Sequence, residues 1–222
     1  MVLQIAQKGV KIFVVNAQNS KIAADVNSVL QEGEPLMERN KQKKILQQIV
    51  LTSVFAAGVT VLTFAVKIPS HNGYIHLGDA LIYLAATLLP TPLAMVCGGL
   101  GGMLADALGG YTLYIVPTMI IKMLLVLPFS SKGGKLMTKR NYIALIIASV
   151  ITTIGYYVAE TVLVAISSTS DAGQLASYLF SPAPWVAAFY CIPGNIIQAV
   201  GSAVVFVPLA IALDKINIKA KI

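Results

Sequence analysis

Residues 75–122 decide how the rest of the chain is read: IHLGDALIYLAATLLP (75–90), TPLAMVCGGLGGMLADALGGY (91–111) and TLYIVPTMIIK (112–122). Most of this length is apolar enough for a bilayer, yet His76, Asp79, Asp106 and Lys122 lie at or inside it. An ionisable group in hydrocarbon costs several kcal/mol on most scales, so such groups face a protein interior or a wet cavity. The stretch therefore predicts membrane helices that carry much of a solute site at one mouth of a small bundle.

Composition agrees. Of the 222 residues 57% are hydrophobic and only 11% charged, and the mean hydropathy is +0.79. A soluble domain of this size needs far more charge to cover its surface. The apolar residues come in runs near spanning length, which predicts an all-α bundle of six transmembrane helices. The spans are expected at 46–66, 75–90, 92–108, 112–128, 142–166 and 184–213, making a domain of residues 45–213. Residues 1–44 read as a polar N-terminal extension, with Met37 expected as the physiological start or the preceding residues as a tail. Residues 214–222 read as a basic tail. Cys97 and Cys191 fall in apolar runs without a CxxC pair, so they read as small buried hydrophobes, and no cofactor is expected.

Lysine and arginine set the orientation. Arg39, Lys41, Lys43 and Lys44 precede the first span, Lys132, Lys135, Lys139 and Arg140 separate the fourth and fifth, and Lys215, Lys219 and Lys221 follow the sixth. Lys67 stands alone in the opposite loops. The positive-inside rule then places both termini in the cytoplasm of a cell whose plasma membrane the chain crosses. The net charge of +7 is explained by these flanks, so nucleic acid is not an expected partner.

With that orientation, depth follows from a rise of about 1.5 Å per residue. Asp79 and Asp106 fall within about a turn of the outer helix ends, Glu160 roughly 9 Å down, and Lys122 and Asn195 roughly 15 Å down. On helical spacing, Tyr114, Thr118 and Lys122 form one stripe; Thr153, Tyr156 and Glu160 a second; Asn195, Gln198 and Ser202 a third. Tyr111 and Trp185 stand at the entry. Aromatic walls with a few donors and acceptors suit a small, flat, polar ring.

Plainer roles compete for several of these residues. Trp185 and Tyr178 also fit an interfacial belt, and Asn195 and Gln198 fit interhelical glue. Lys122 either lines the site or neutralises Glu160 or Asp106 between helices. Asp79 either binds solute or caps its own helix. His76 suits packing or an interface better than a ligand. Gly98 and Gly102 form GxxxG with Gly101 and Ala105 alongside, which predicts close backbone approach by the third span. Ser53, Ala56 and Ala57 give the first span a second small-residue face.

The strings YIHLGDALIYLAATLL, LADALGGY and PTMIIK, in that order, resemble the S components of energy-coupling factor vitamin transporters. The likeness covers roughly residues 45–213 and is nearest the branch of riboflavin, hydroxymethylpyrimidine and pyridoxine type. It implies a membrane subunit without ATPase activity that binds a vitamin at its outer face. A transmembrane T component and two cytoplasmic ATPase subunits then drive uptake. It also implies a site built from outer loops and the fourth to sixth helices, and an AxxxA docking face on the first. This chain has Ser53-xxx-Ala57 and Ala56-xxx-Thr60 there instead.

Other functions fit less well. A stand-alone proton-coupled transporter of a small heteroaromatic solute is the alternative, although the spans show no inverted repeat. No HExxH, GxSxG or Walker motif occurs, so an enzyme is not expected, and ATP hydrolysis must come from partners.

Overall fold

The computed structural model describes residues 3–7, 10–14, 36–70 and 73–221. The chain divides into two compact units, Met1–Leu46 and Gln47–Ile222. In the first, β1 (Leu3–Gln7) pairs antiparallel with β2 (Val10–Val14), Leu3 opposite Val14 and Gln7 opposite Val10. Residues 15–35, where the sequence predicts the rest of a polar extension, lie outside the described residues. The basic run 39–44 is already helical, at the start of α1 (Leu36–Ala65).

The described residues of the second unit form helices and their connections, the longest being 125–138, together with one strand pair, β3 (Ile68–Ser70) with β4 (Gly73–Ile75). After it come α2 (Asp79–Leu88), α3 (Thr91–Gly109), a 3-10 turn at Thr112–Tyr114, α4 (Ile115–Leu124) and α5 (Lys139–Ser168). Then follow α6 (Ala172–Leu179), α7 (Pro182–Ala188), a 3-10 turn at Phe189–Cys191 and α8 (Ile192–Lys215). Four described helices, α1, α3, α5 and α8, are long and apolar enough to cross a membrane. Their outward faces expose large apolar side chains such as Val54, Leu104, Ile146 and Val204. Water would reject so continuous an apolar surface, and lipid accepts it. The chain is a multi-pass membrane protein.

The remaining two expected spans are shorter than their sequences suggest. α2 has 10 residues, about 15 Å, where 75–90 promised a full crossing. It compensates by burial: Ala80, Ile82, Tyr83, Ala85 and Thr87 are all almost completely enclosed. A helix apolar on every face belongs inside the bundle, where lipid thickness sets no minimum length. Tyr83 stacks on Phe129 (5.3 Å) and meets Phe206 edge-on (5.8 Å), anchoring it in the core. Each such buried ring contributes about 1.5–3 kcal/mol.

Breaks fall where the chemistry demands them. Leu89 precedes Pro90 and is pushed to extended backbone, which ends α2. Gly110, in the left-handed region at φ 79°, stops α3, while the Tyr111 amide donates back to the Asp106 carbonyl (2.9 Å). The sixth expected span, 184–213, is two helices with a 3-10 turn between them, and Pro193, which has no amide to donate, occupies the first turn of α8. Pro208 sits inside α8 without ending it. The expected loop between the fifth and sixth spans holds α6, capped by the Asp171 carboxylate accepting from the Gln174 amide (2.8 Å).

At the far end, the segment 128–138 is pinned from several sides. Asp214 accepts hydrogen bonds from the Leu136 and Met137 amides (2.7 and 3.0 Å). The Lys219 ammonium donates to the Ser131 and Gly133 carbonyls (3.0 and 2.9 Å). Buried Asn141 donates to the Ser130 and Leu136 carbonyls and accepts from the Ser130 amide.

A tyrosine-lined pocket over a buried ion pair

The site begins with a close approach of two helices. A Cβ on Gly98 would stand 2.8 Å from the Lys122 carbonyl oxygen, and one on Gly102 would stand 2.9 Å from side-chain carbons of Lys122 and Thr118. The GxxxG face is thus the seat of α4, and absent side chains there let Lys122 turn inward. Gly101 faces the other way, where a Cβ would press on Val59 of α1 at 2.7 Å.

Turned inward, the Lys122 ammonium meets Asp79 at 2.6 Å, with both side chains at most 1% exposed. Gln198 donates its side-chain amide to the other Asp79 oxygen (3.0 Å). Three helices, α2, α4 and α8, are joined by this one cluster. It sets aside the sequence alternative in which Lys122 neutralises Glu160 or Asp106: its partner is Asp79. The Tyr156 ring lies 5.3 Å from the same ammonium, a cation–π contact.

Above the pair opens a pocket whose space, with the adjoining open solvent included, comes to about 620 Å³. Eight of the expected site residues line it: Asp106, Tyr111, Tyr114, Thr118, Tyr156, Glu160, Asn195 and Gln198. Asp79 and Lys122 lie beside this lining in the ion pair instead. Trp185 is also outside it, its indole donating to the Leu179 carbonyl (2.9 Å) and its ring against Tyr157. Tyr74, Ile75, His76, Cys191 and Gly194 complete the lining.

The two pocket carboxylates are both held by tyrosines. Tyr74 donates to Asp106 (2.7 Å) and Tyr114 donates to Glu160. Burial, then the Asp106 hydrogen bond, pushes the Tyr74 hydroxyl well above the ordinary phenol range, so it remains a donor. Tyr156 donates to Thr118 (3.1 Å). His76 accepts at Nδ1 from the Gly78 amide (3.1 Å), which makes its ring neutral with the proton on Nε2. At the rim the Lys67 ammonium lies 4.6 Å from the Phe64 and Tyr74 ring centres and 5.2 Å from that of Tyr111.

Tyr74 was not legible as a site residue because its position depends on the β3–β4 hairpin. The one available signal was its place two residues before His76, at the head of the motif. Among the described residues no cluster of His, Cys, Asp and Glu suits a metal ion. What the arrangement offers chemically is a set of aromatic faces, hydroxyls and carboxylates around one space.

Comparison with known proteins points the same way. Residues 43–215 match the family model described as ECF-type riboflavin transporter, S component. A Pyrococcus woesei protein, described as an uncharacterized protein in the gap 3′ region, is 29% identical over 162 residues. That alignment covers 72% of this chain and 95% of the relative. The family match takes in the pocket and the ion pair beside it, and it makes the molecule a substrate-binding subunit of a vitamin-type transporter. The chain belongs to the S-component family of ECF-type riboflavin transporters.

Proposed function

We propose that this chain captures a small heteroaromatic vitamin or vitamin precursor in the pocket and delivers it to an ATP-driven importer. Hydroxymethylpyrimidine or a pyridoxine-like compound is the leading ligand, with riboflavin next. The observation that carries this is the lining: Tyr74, Tyr111, Tyr114 and Tyr156 supply ring faces, and Asp106 and Glu160 supply acceptors. Flat rings stack on such walls, and the few polar groups fix their orientation.

The importer is completed by a transmembrane T component and two ATPase subunits, since this sequence has no phosphate-binding loop of Walker type. The pocket opens to the outside of the plasma membrane and both termini lie in the cytoplasm. Charge supports this: Lys139 and Arg140 begin α5 while Glu160 lies 20 residues on, roughly 30 Å toward the pocket end. Calorimetric titration of the purified full chain with hydroxymethylpyrimidine, pyridoxine and riboflavin tests the reading. One of the three should bind at submicromolar Kd, and binding of none of them refutes it. Uptake should vanish in cells lacking the ATPases; persistent uptake favours the stand-alone transporter.

A further inference from the structure

Asp106 has two differently placed oxygens. The residue is 5% exposed, Oδ1 accepts from Tyr74 at 2.7 Å, and Oδ2 is buried without a hydrogen bond to any described residue. The cations nearby are engaged elsewhere. Lys122 is spent on Asp79 at 2.6 Å, and Lys67 lies against the Phe64, Tyr74 and Tyr111 rings. A buried acceptor left unmade costs its full desolvation, so a ligand group that donates to Oδ2 recovers that cost.

From this we propose that Asp106 is the specificity-determining residue of the pocket, selecting an azine ring that carries an exocyclic amine or a protonated ring nitrogen over the corresponding oxo ring. The inference rests on the functional reading above and narrows its ligand class. An ionised carboxylate only accepts. An amine or ring N–H⁺ facing Oδ2 makes a charge-assisted hydrogen bond, whereas the oxo ring, a lactam, puts a carbonyl where the amine stood and keeps its N–H one ring atom away, so it must turn in the pocket to donate. A site built around a buried acceptor rejects the analogue without a donor in that position far more strongly than an apolar pocket rejects a change of shape.

The test uses two probes on the purified full chain: 4-amino-5-hydroxymethyl-2-methylpyrimidine and its 4-oxo analogue. The unmutated protein should prefer the amine at least tenfold by calorimetry. Asp106→Asn offers an amide N–H₂ to the oxo ring, so it should weaken amine binding at least tenfold and erase the preference. Equal affinity of the unmutated protein for both probes, or a preference unchanged in Asp106→Asn, overturns the proposal while leaving the vitamin-binding reading intact. Binding of neither probe overturns the proposal, and the three-compound titration then decides the broader reading separately. If Asp106→Asn fails to fold, the comparison of probes on the unmutated protein still decides.

Discussion

Lys122 on α4 and Asp79 at the first turn of α2 form an ion pair of 2.6 Å, closed to solvent on every side. The pair is seated by the two glycines of α3 and completed by Gln198 of α8, so four helices meet where the pocket ends. Its consequence is mechanical before it is chemical: the charge that looked available to a ligand holds the bundle together.

Lys122→Met should therefore act first on stability. Removing one partner leaves Asp79 a buried carboxylate whose charge only the Gln198 amide meets, a loss of about 3–5 kcal/mol. Thermal unfolding in detergent should show a large fall in Tm, and Asp79→Leu added to Lys122→Met should restore much of it. A single variant as stable as the parent would show that the pair carries no structural weight.

Glu160→Gln keeps the shape of the pocket wall and removes its charge. Ligand affinity should drop at least tenfold, about 1.4 kcal/mol, with little change in Tm. Unchanged affinity by calorimetry would remove Glu160 from the ligand's contacts, whatever its bond with Tyr114 does for the fold.

Asp214→Ala separates the two ends of the molecule. Asp214 lies 16 residues beyond Gln198 on α8, roughly 24 Å along the helix. Losing it strands the Leu136 and Met137 amides and should cost about 1–3 kcal/mol. Tm should fall while ligand Kd stays the same; a shifted Kd would mean the two ends are coupled.

The small-residue face of α1 is the expected docking surface for the T component. Ser53 and Ala57 are exposed, whereas Ala56 is half-buried and packs against the core. Ser53→Leu or Ala57→Leu should leave ligand Kd unchanged and reduce recovery of the T component in co-purification. Normal recovery with both variants would put the docking face elsewhere.

Much of this was legible in the sequence, and the exceptions share a cause. Length and apolarity alone locate α1, α3, α5 and α8. Depth along helices gathers Asp106 and Glu160 at one end, where they line the same pocket. The same reckoning put Asp79 near the surface and Lys122 near the midplane, yet they touch. It treated each span as a full-length straight helix starting at the membrane boundary. Instead β4 and a non-helical stretch at 76–78 precede α2, which starts only at Asp79, in contact with Lys122. Tyr74 was lost for a related reason, since hairpin register leaves no helical periodicity to read.

Mass spectrometry of the small molecules carried by protein purified gently from its native membrane tests the central claim most directly. The account predicts one heteroaromatic compound of vitamin size, bound one to one and lost in Tyr156→Ala. Protein that emerges with none, and takes up none from a vitamin mixture, or whose bound compound survives Tyr156→Ala undiminished, would contradict it.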